Sequence, residues 1–389
     1  MRALIVHNHY RFAGGEDRVF AAESALLEEH GHAVVRYEER NSRITGAVAA
    51  GLNGIWNRES CRKLEALIEQ HRPTVVHFHN TFPLISPAGY YAARRHAVPV
   101  VQTLHNFRLL CPGATFFREG YVCEDCTRHA FPAPAIAHGC YRGSRAASAA
   151  VAAILTVHRA SGTWRRMVDL FIAPSQFVRQ KFIENGFPAE RIAVKSNPLL
   201  SDPGAGPGGG DYALFVGRLS EEKGIRTLAA AWQKLADVSL FVAGDGPLAD
   251  IDWPPGVTAL GARPHEEVLR LMQSARFLVF PSVCYEGQPM AILESLACGL
   301  PVIGSGHGSI AELIEHGRTG LLFRPGDAED LVRQVRWAVA HPQELRAMRA
   351  AARREYESKF TPEQNYRALI TAYEMAVENA RRRNSRLCA

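Results

Sequence analysis

The 389-residue chain has no apolar run approaching the roughly eighteen residues that a membrane-spanning helix needs. The N-terminal segment Ala3-Leu4-Ile5-Val6 is halted at once by His7-Asn8-His9, so neither a transmembrane span nor a secretory signal is expected. An excess of one charge is lacking too. The 45 Lys+Arg against 39 Asp+Glu are too evenly balanced for a nucleic-acid binder, and no nucleic-acid partner is expected. Eight cysteines in a chain this long exclude a small disulfide-stapled scaffold. What is plentiful is core material: 47% hydrophobic residues exclude disorder and suffice for two ordinary cores.

Short β-branched runs alternate with helical stretches, the pattern of βα units on parallel sheets. In the first half the strand candidates are 3–6, 33–35, 74–78, 98–101 and 170–173, and the second half repeats the plan at 212–216, 238–242, 277–280, 301–303 and 321–323. Between the halves lies the Pro/Gly stretch Ser201–Asp211, read as an interdomain linker. Helical patterning covers the end of the chain, with Arg381-Arg382-Arg383 as a frayed tail. The expected domains are 1–198, 199–364 and a terminal helix 365–389 that packs on the first.

The densest signal is FLVFPSVCYEGQPMAILESLACGLPVIG from Phe277 to Gly304. A buried strand ends at Pro281-Ser282, a loop carries Glu286 and Gly287, and Pro289 is placed as the first residue of a helix. Glu286 then sits before the helix and Glu294 on its second turn, two carboxylates suited to sugar and ribose hydroxyls. The amides around Gln288, Met290 and Ala291 point at the same space. A second word, Gly217-Arg218-Leu219-Ser220-Glu221-Glu222-Lys223-Gly224, places two cations between a strand and a helix start, where they suit a diphosphate. In Ala243-Gly244-Asp245-Gly246-Pro247 the glycines permit close backbone approach to a ligand. Gly14-Gly15 is a Gly-rich turn at a helix start, without the G-x-G-x-x-G spacing of a dinucleotide fingerprint.

Taken together, these words resemble the retaining nucleotide-sugar glycosyltransferases of family 4, and the resemblance is strongest from Tyr212 to Arg324. It implies the GT-B fold: α/β, two Rossmann-like domains with parallel sheets facing across a cleft, an acceptor-side domain first and a donor domain second. It further implies that Arg218 and Lys223 bind the donor diphosphate, Glu294 the ribose and Glu286 the transferred sugar. Arg263, with Gly261-Ala262, would meet the base, and Gly15 would approach the diphosphate from the other domain. His105 matches the family's active-site histidine near the donor sugar. No covalent intermediate is implied; the acceptor attacks the face that the diphosphate leaves, with the departing phosphate as base. No catalytic metal is implied either, and Asp250-Ile251-Asp252, although formally Asp-x-Asp, lies outside the context of a metal motif.

Cys111, Cys123, Cys126 and Cys140 fall within thirty residues and match a thiolate set for a structural zinc, with separate thiols as the alternative. The words around Cys111 and Cys140 resemble family 4 enzymes of bacterial surface-polysaccharide assembly, with a glycan or lipid-linked glycan as acceptor. A cytoplasmic protein is expected, with contact at the inner face of the membrane left open. Two features bear on that contact: nine basic against three acidic residues from Arg142 to Lys195, and the Ala-rich helix 146–157. A solvated face and an ordinary packed helix are the plainer readings. Two other functions fit the same motifs, a sugar-nucleotide isomerase (epimerase) and a non-catalytic sugar-nucleotide binding module.

Overall fold

The structure is a computed structural model that describes residues 1–10, 14–43, 51 and 53–388. The chain divides into two compact units. The first comprises Met1–Phe116, Glu124–Leu200 and Pro362–Ala389; the second comprises Phe117–Cys123 and Ser201–Thr361.

In the first unit, strands β1 (Arg2–His9), β2 (Ala33–Arg40), β3 (Val75–Asn80), β4 (Val100–Thr103), β7 (Leu170–Ala173) and β8 (Ile192–Val194) form one parallel sheet. Its order is β2-β1-β3-β4-β7-β8. The central strands read as continuous apolar runs because helices cover both faces: Ala3 to Val6 and Leu170 to Ala173 are fully buried. The helix Gly15–Glu29 presents Val19, Phe20, Leu26 and Leu27 to the sheet. The last helix, Pro362–Cys388, adds Leu369, Ala372, Tyr373 and Ala376 to the same core. The expected frayed tail is instead part of this helix, and Arg383 pairs with the buried Asp169. In sequence between β4 and β7, but counted with the second unit, the two-residue strands β5 (Phe117–Arg118) and β6 (Tyr121–Val122) pair as a hairpin and interrupt the βα rhythm.

In the second unit, β9 (Ala213–Val216), β10 (Leu240–Ala243), β11 (Val257–Gly261), β12 (Phe277–Phe280), β13 (Val302–Ser305) and β14 (Gly320–Phe323) form a second parallel sheet. The order β11-β10-β9-β12-β13-β14 reverses between β9 and β12, and that of the first sheet reverses between β1 and β3. At such a switch point the connections leave to opposite sides, opening a crevice at the strands' carboxyl ends.

Ser201–Asp211 does not hang free. It runs as an extended strap on the second unit, with the amides of Gly206, Gly208 and Gly210 donating to the carbonyls of Cys298, Gln273 and Ser274. Most of the basic stretch is likewise committed inside the fold. Arg159, Arg165, Arg179 and Arg191 donate to backbone carbonyls, and Lys195 is buried. The helix Arg145–Ala160 buries Val151, Ala152, Ile154 and Leu155 as an ordinary packed helix. Among the described residues no helix is long and apolar enough to cross a membrane.

Candidate active site

In the second unit the switch point sets the loop after β9 beside the loop after β12, which brings together two residues far apart in sequence. Lys223 Nζ donates to Glu286 Oε1 at 2.6 Å. Burial by itself would lower the Lys223 ammonium, but the Glu286 carboxylate outweighs it and holds the group above the ordinary lysine range. Ser282 Oγ donates to the same Glu286 oxygen at 2.7 Å, and Ser309 Oγ donates to the Glu286 carbonyl at 2.9 Å. His307 Nε2 holds the Ser282 carbonyl at 3.0 Å. Beside them burial pushes the Cys284 thiol up to about 12, so it is protonated and inert at neutral pH.

The Gly-rich turns are stitched into one surface. Gly217 N–H donates to the Ala243 carbonyl at 3.1 Å, and Gly244 N–H to the Gly261 carbonyl at 2.9 Å. A Cβ on Gly244 would stand 1.8 Å from the Gly217 oxygen, so only glycine permits this approach. Pro289 is the residue before the helix, which begins at Met290 and runs to Ala297. The Met290 and Ala291 amides therefore open its first turn, next to Gly287 and the buried Gln288. Glu294 is buried on the second turn, 3.8 Å from His265 Nε2. Arg263 is exposed and faces Glu267 at 3.6 Å. Arg218 is exposed, with no ion pair or hydrogen bond among the described residues. Of the cations and carboxylates expected here, Lys223 and Glu286 meet directly, whereas Arg218 and Arg263 follow the ends of β9 and β11 and Glu294 sits on the helix Met290–Ala297.

In the first unit, His105 follows β4 by two residues, and its Nε2 lies 3.0 Å from His79 Nδ1 on β3. It lines a pocket of about 50 Å³ with Asn80, Gln102, Asn106 and Arg108. Gly14 stands just before the helix that opens at Gly15, and its amide donates to Asp17 Oδ2 at 2.6 Å. Asp17 Oδ1 in turn contacts His7 Nε2 at 3.0 Å and His9 Nδ1 at 2.6 Å. The Asp17 carboxyl is held below the usual range, the His7 and Gly14 contacts outweighing its burial. The sequence marks Ser282 only as the end of a strand and gives no sign of Asp17, His307 or Ser309 as site residues. Asp17 carries the one local signal, an acid three residues after a Gly turn at a helix start.

Of the four clustered cysteines, Cys111 and Cys126 are buried and Cys123 and Cys140 half-buried, with none in a disulfide. Within the first unit Cys111 and Cys140 flank Gly113: a Cβ there would lie 3.6 Å from Cys111 Sγ and 3.8 Å from Cys140 Cβ. Burial lowers Arg159, and the sulfurs of Cys126 and Cys111 pull it back. Among the described residues no three cysteine sulfurs lie together closely enough to hold a metal ion.

A family model described as glycosyl transferase 4-like domain matches residues 14–198, and one described as glycosyl transferases group 1 matches 210–341. The amylovoran biosynthesis glycosyltransferase AmsK of Erwinia amylovora is 31% identical over 231 residues, 53% of this chain and 56% of that protein. The chain thus spans little more than half the length of that relative. The 2-deoxystreptamine glucosyltransferase of Streptomyces kanamyceticus is 27% identical over 333 residues, 82% of this chain and 81% of that one. The crystal structure of Anabaena Alr3699/HepE in complex with UDP shares the fold at a TM-score of 0.68 and 18% identity, covering 96% of this chain and 100% of the other. With a glycosyl transferase 4-like domain in its first half, a glycosyl transferases group 1 domain in its second and two parallel six-stranded sheets of the GT-B type, the chain belongs to the glycosyltransferases.

Proposed function

We propose that the chain is a retaining glycosyltransferase that moves a sugar from a nucleoside diphosphate sugar to a hydroxyl of a glycan or lipid-linked glycan, in the assembly of a polysaccharide. The observation that carries this reading is the Lys223–Glu286 pair at the switch point of the second sheet. An ammonium has three donors, so Lys223 keeps Glu286 in place with one and offers the others to a leaving diphosphate. Arg218, exposed nearby in sequence, adds the fork that matches phosphate oxygens. Glu286 is then held beside the leaving group, where it meets the hydroxyls of the transferred sugar. Glu294 takes the ribose and Arg263 the base.

In this reading the second unit is the donor domain and the first the acceptor domain. Gly14 and Gly15 supply a turn toward the diphosphate, and His105 a contact to the sugar. The cations replace a catalytic metal, and the departing phosphate takes the acceptor's proton. The Anabaena neighbour was solved with UDP and with UDP-glucose, which favours a uridine donor as the first to test. A lipid-linked acceptor would bring the protein to the inner face of the membrane without crossing it. On their spacing alone, Cys111, Cys123, Cys126 and Cys140 are proposed to hold a structural zinc. About one zinc per chain in purified protein is the expected content, and far less rejects the site.

The test of function is calorimetric titration with UDP, GDP, ADP and their sugar conjugates, with and without EDTA. Binding of one nucleotide series that is insensitive to EDTA is expected, and Lys223→Ala should weaken it. Binding that needs a divalent ion, or none at all, overturns the diphosphate role of Lys223.

A further inference from the structure

The proposed chemistry leaves one buried charge in the first unit without a task. Glu23 is fully buried, in the apolar stripe that the helix Gly15–Glu29 turns toward the sheet. Its Oε1 lies 2.7 Å from Lys195 Nζ. Its Oε2 faces β3, 3.4 Å from His79 Nε2 and 3.6 Å from His77 Nδ1. Burial would raise a lone carboxyl, but the Lys195 ammonium holds Glu23 well below the ordinary range. It is therefore an anion that only accepts hydrogen bonds. Glu23, His77 and His79 lie close enough to hold a metal, but the Lys195 ammonium already neutralises the carboxylate and would repel a cation.

The two histidines differ in their commitments. His77 has both nitrogens occupied, Nδ1 with Tyr373 Oη at 2.9 Å and Nε2 with Thr103 Oγ1 at 2.7 Å. His79 Nε2 makes no hydrogen bond among the described residues, and the group it faces at 3.4 Å is the Glu23 carboxylate. Its Nδ1 meets His105 Nε2.

We propose that Glu23 is a positioning residue that sets the tautomer of His105 through His79. The carboxylate accepts the Nε2–H of His79, which leaves His79 Nδ1 with its lone pair. That lone pair accepts the Nε2–H of His105, and His105 is left with a bare Nδ1. Burial holds His105 far below the usual imidazole range, so no second proton fills that nitrogen at neutral pH. His105 thus offers its pocket one hydrogen-bond acceptor and no further donor. Such a group recognises a hydroxyl, which fits a sugar and not a phosphate oxygen. This step rests on the reading of His105 as a sugar contact, whereas the relay itself is independent of any substrate.

The test starts with the full-length protein labelled with ¹⁵N-histidine and no ligand. Long-range proton–nitrogen correlations are expected to show His105 protonated at Nε2 and bare at Nδ1. A proton on Nδ1 at neutral pH overturns the relay, whether or not transfer is ever detected. The double variant Glu23→Gln/Lys195→Met then removes both buried charges, so that neither is stranded. Because a glutamine amide either donates or accepts, the single tautomer of His105 should give way to a mixture. Hydrolysis of UDP-glucose should lose at least about tenfold in kcat, with UDP affinity changed less than about twofold. An unchanged tautomer and kcat in the folded variant would reduce Glu23 to a structural ion pair. Should that variant fail to fold, the spectrum of the unaltered protein still decides.

Discussion

Lys223 and Glu286 satisfy one another at 2.6 Å, so replacing either leaves a charge without its partner in a largely enclosed site. Lys223→Ala is expected to lower kcat/KM by about a hundredfold or more, the scale of losing a preorganised charge at a leaving group. Glu286→Gln should retain nucleotide binding and lose transfer, read by calorimetry beside a turnover assay. Gly244→Ala drives a methyl into the Gly217 carbonyl and should abolish nucleotide binding, with a lower melting temperature as the check. Burial also sets a pH response. His7 is fully buried and desolvation lowers its pKa to about 4, against 6.5 in an unfolded chain. Between those values the unfolded state binds the extra proton and the folded state does not. Stability should therefore rise from pH 4 to 6.5 and fall on acidification, by on the order of 3 kcal/mol from this group. A series of thermal melts across that window measures it, and a flat series refutes it. The words holding Lys223 and Glu286 are legible in sequence, but their meeting across sixty-three positions depends on β9 and β12 being neighbours. Ser309 stays hidden, and Ser282 shows only as the end of a strand, because a serine that steadies a glutamate has no spacing rule. Glu23 is more legible than it first appears, as a carboxylate inside the stripe Val19, Phe20, Leu26, Leu27.

Among the elements, the central strands are the easiest to read, because burial on both faces writes them as unbroken apolar runs. The edge strands β8 and β11 are not anticipated. β11 is mostly exposed, and its residues Val257–Gly261 lack the apolar density that marks the interior strands. The stretch Ser201–Asp211 misleads for another reason. Glycine and proline suggest slack, yet here glycine is needed because side chains have no room: a Cβ on Gly206 would lie 2.2 Å from the Gln273 oxygen. Arg353 clamps the start of the strap by gripping Asp202 with two nitrogens at 2.7 Å each. Gly206→Ala is expected to cost more than about 2 kcal/mol in urea unfolding of the second unit, whereas an alanine in a slack linker would cost nothing. The terminal helix is legible as a helix from its patterning. Its length is not, since the basic run that reads as a frayed end pairs Arg383 with Asp169.

At the scale of the whole chain, the first unit is discontinuous: its sheet comes from the first half of the sequence, and one of its covering helices comes from the last twenty-eight residues. That helix is wired as well as packed. Asn365 accepts a hydrogen bond from Lys195 at 3.0 Å, and Tyr373 reaches His77. Removal of residues 362–389 should therefore lower or abolish the unfolding transition of the first unit and leave that of the second in place, as differential scanning calorimetry would resolve. Equal loss in both units would contradict this division of the core. The same arrangement dictates an order of events on the ribosome. The strands of the first unit emerge before the bulk of the second, yet the helix that packs Leu369, Ala372 and Tyr373 against them emerges only after it. Apart from Phe117–Cys123, the second unit is synthesised in between. The first-made half of the protein must wait, partly uncovered and in need of protection from aggregation, until the later-made half has already folded.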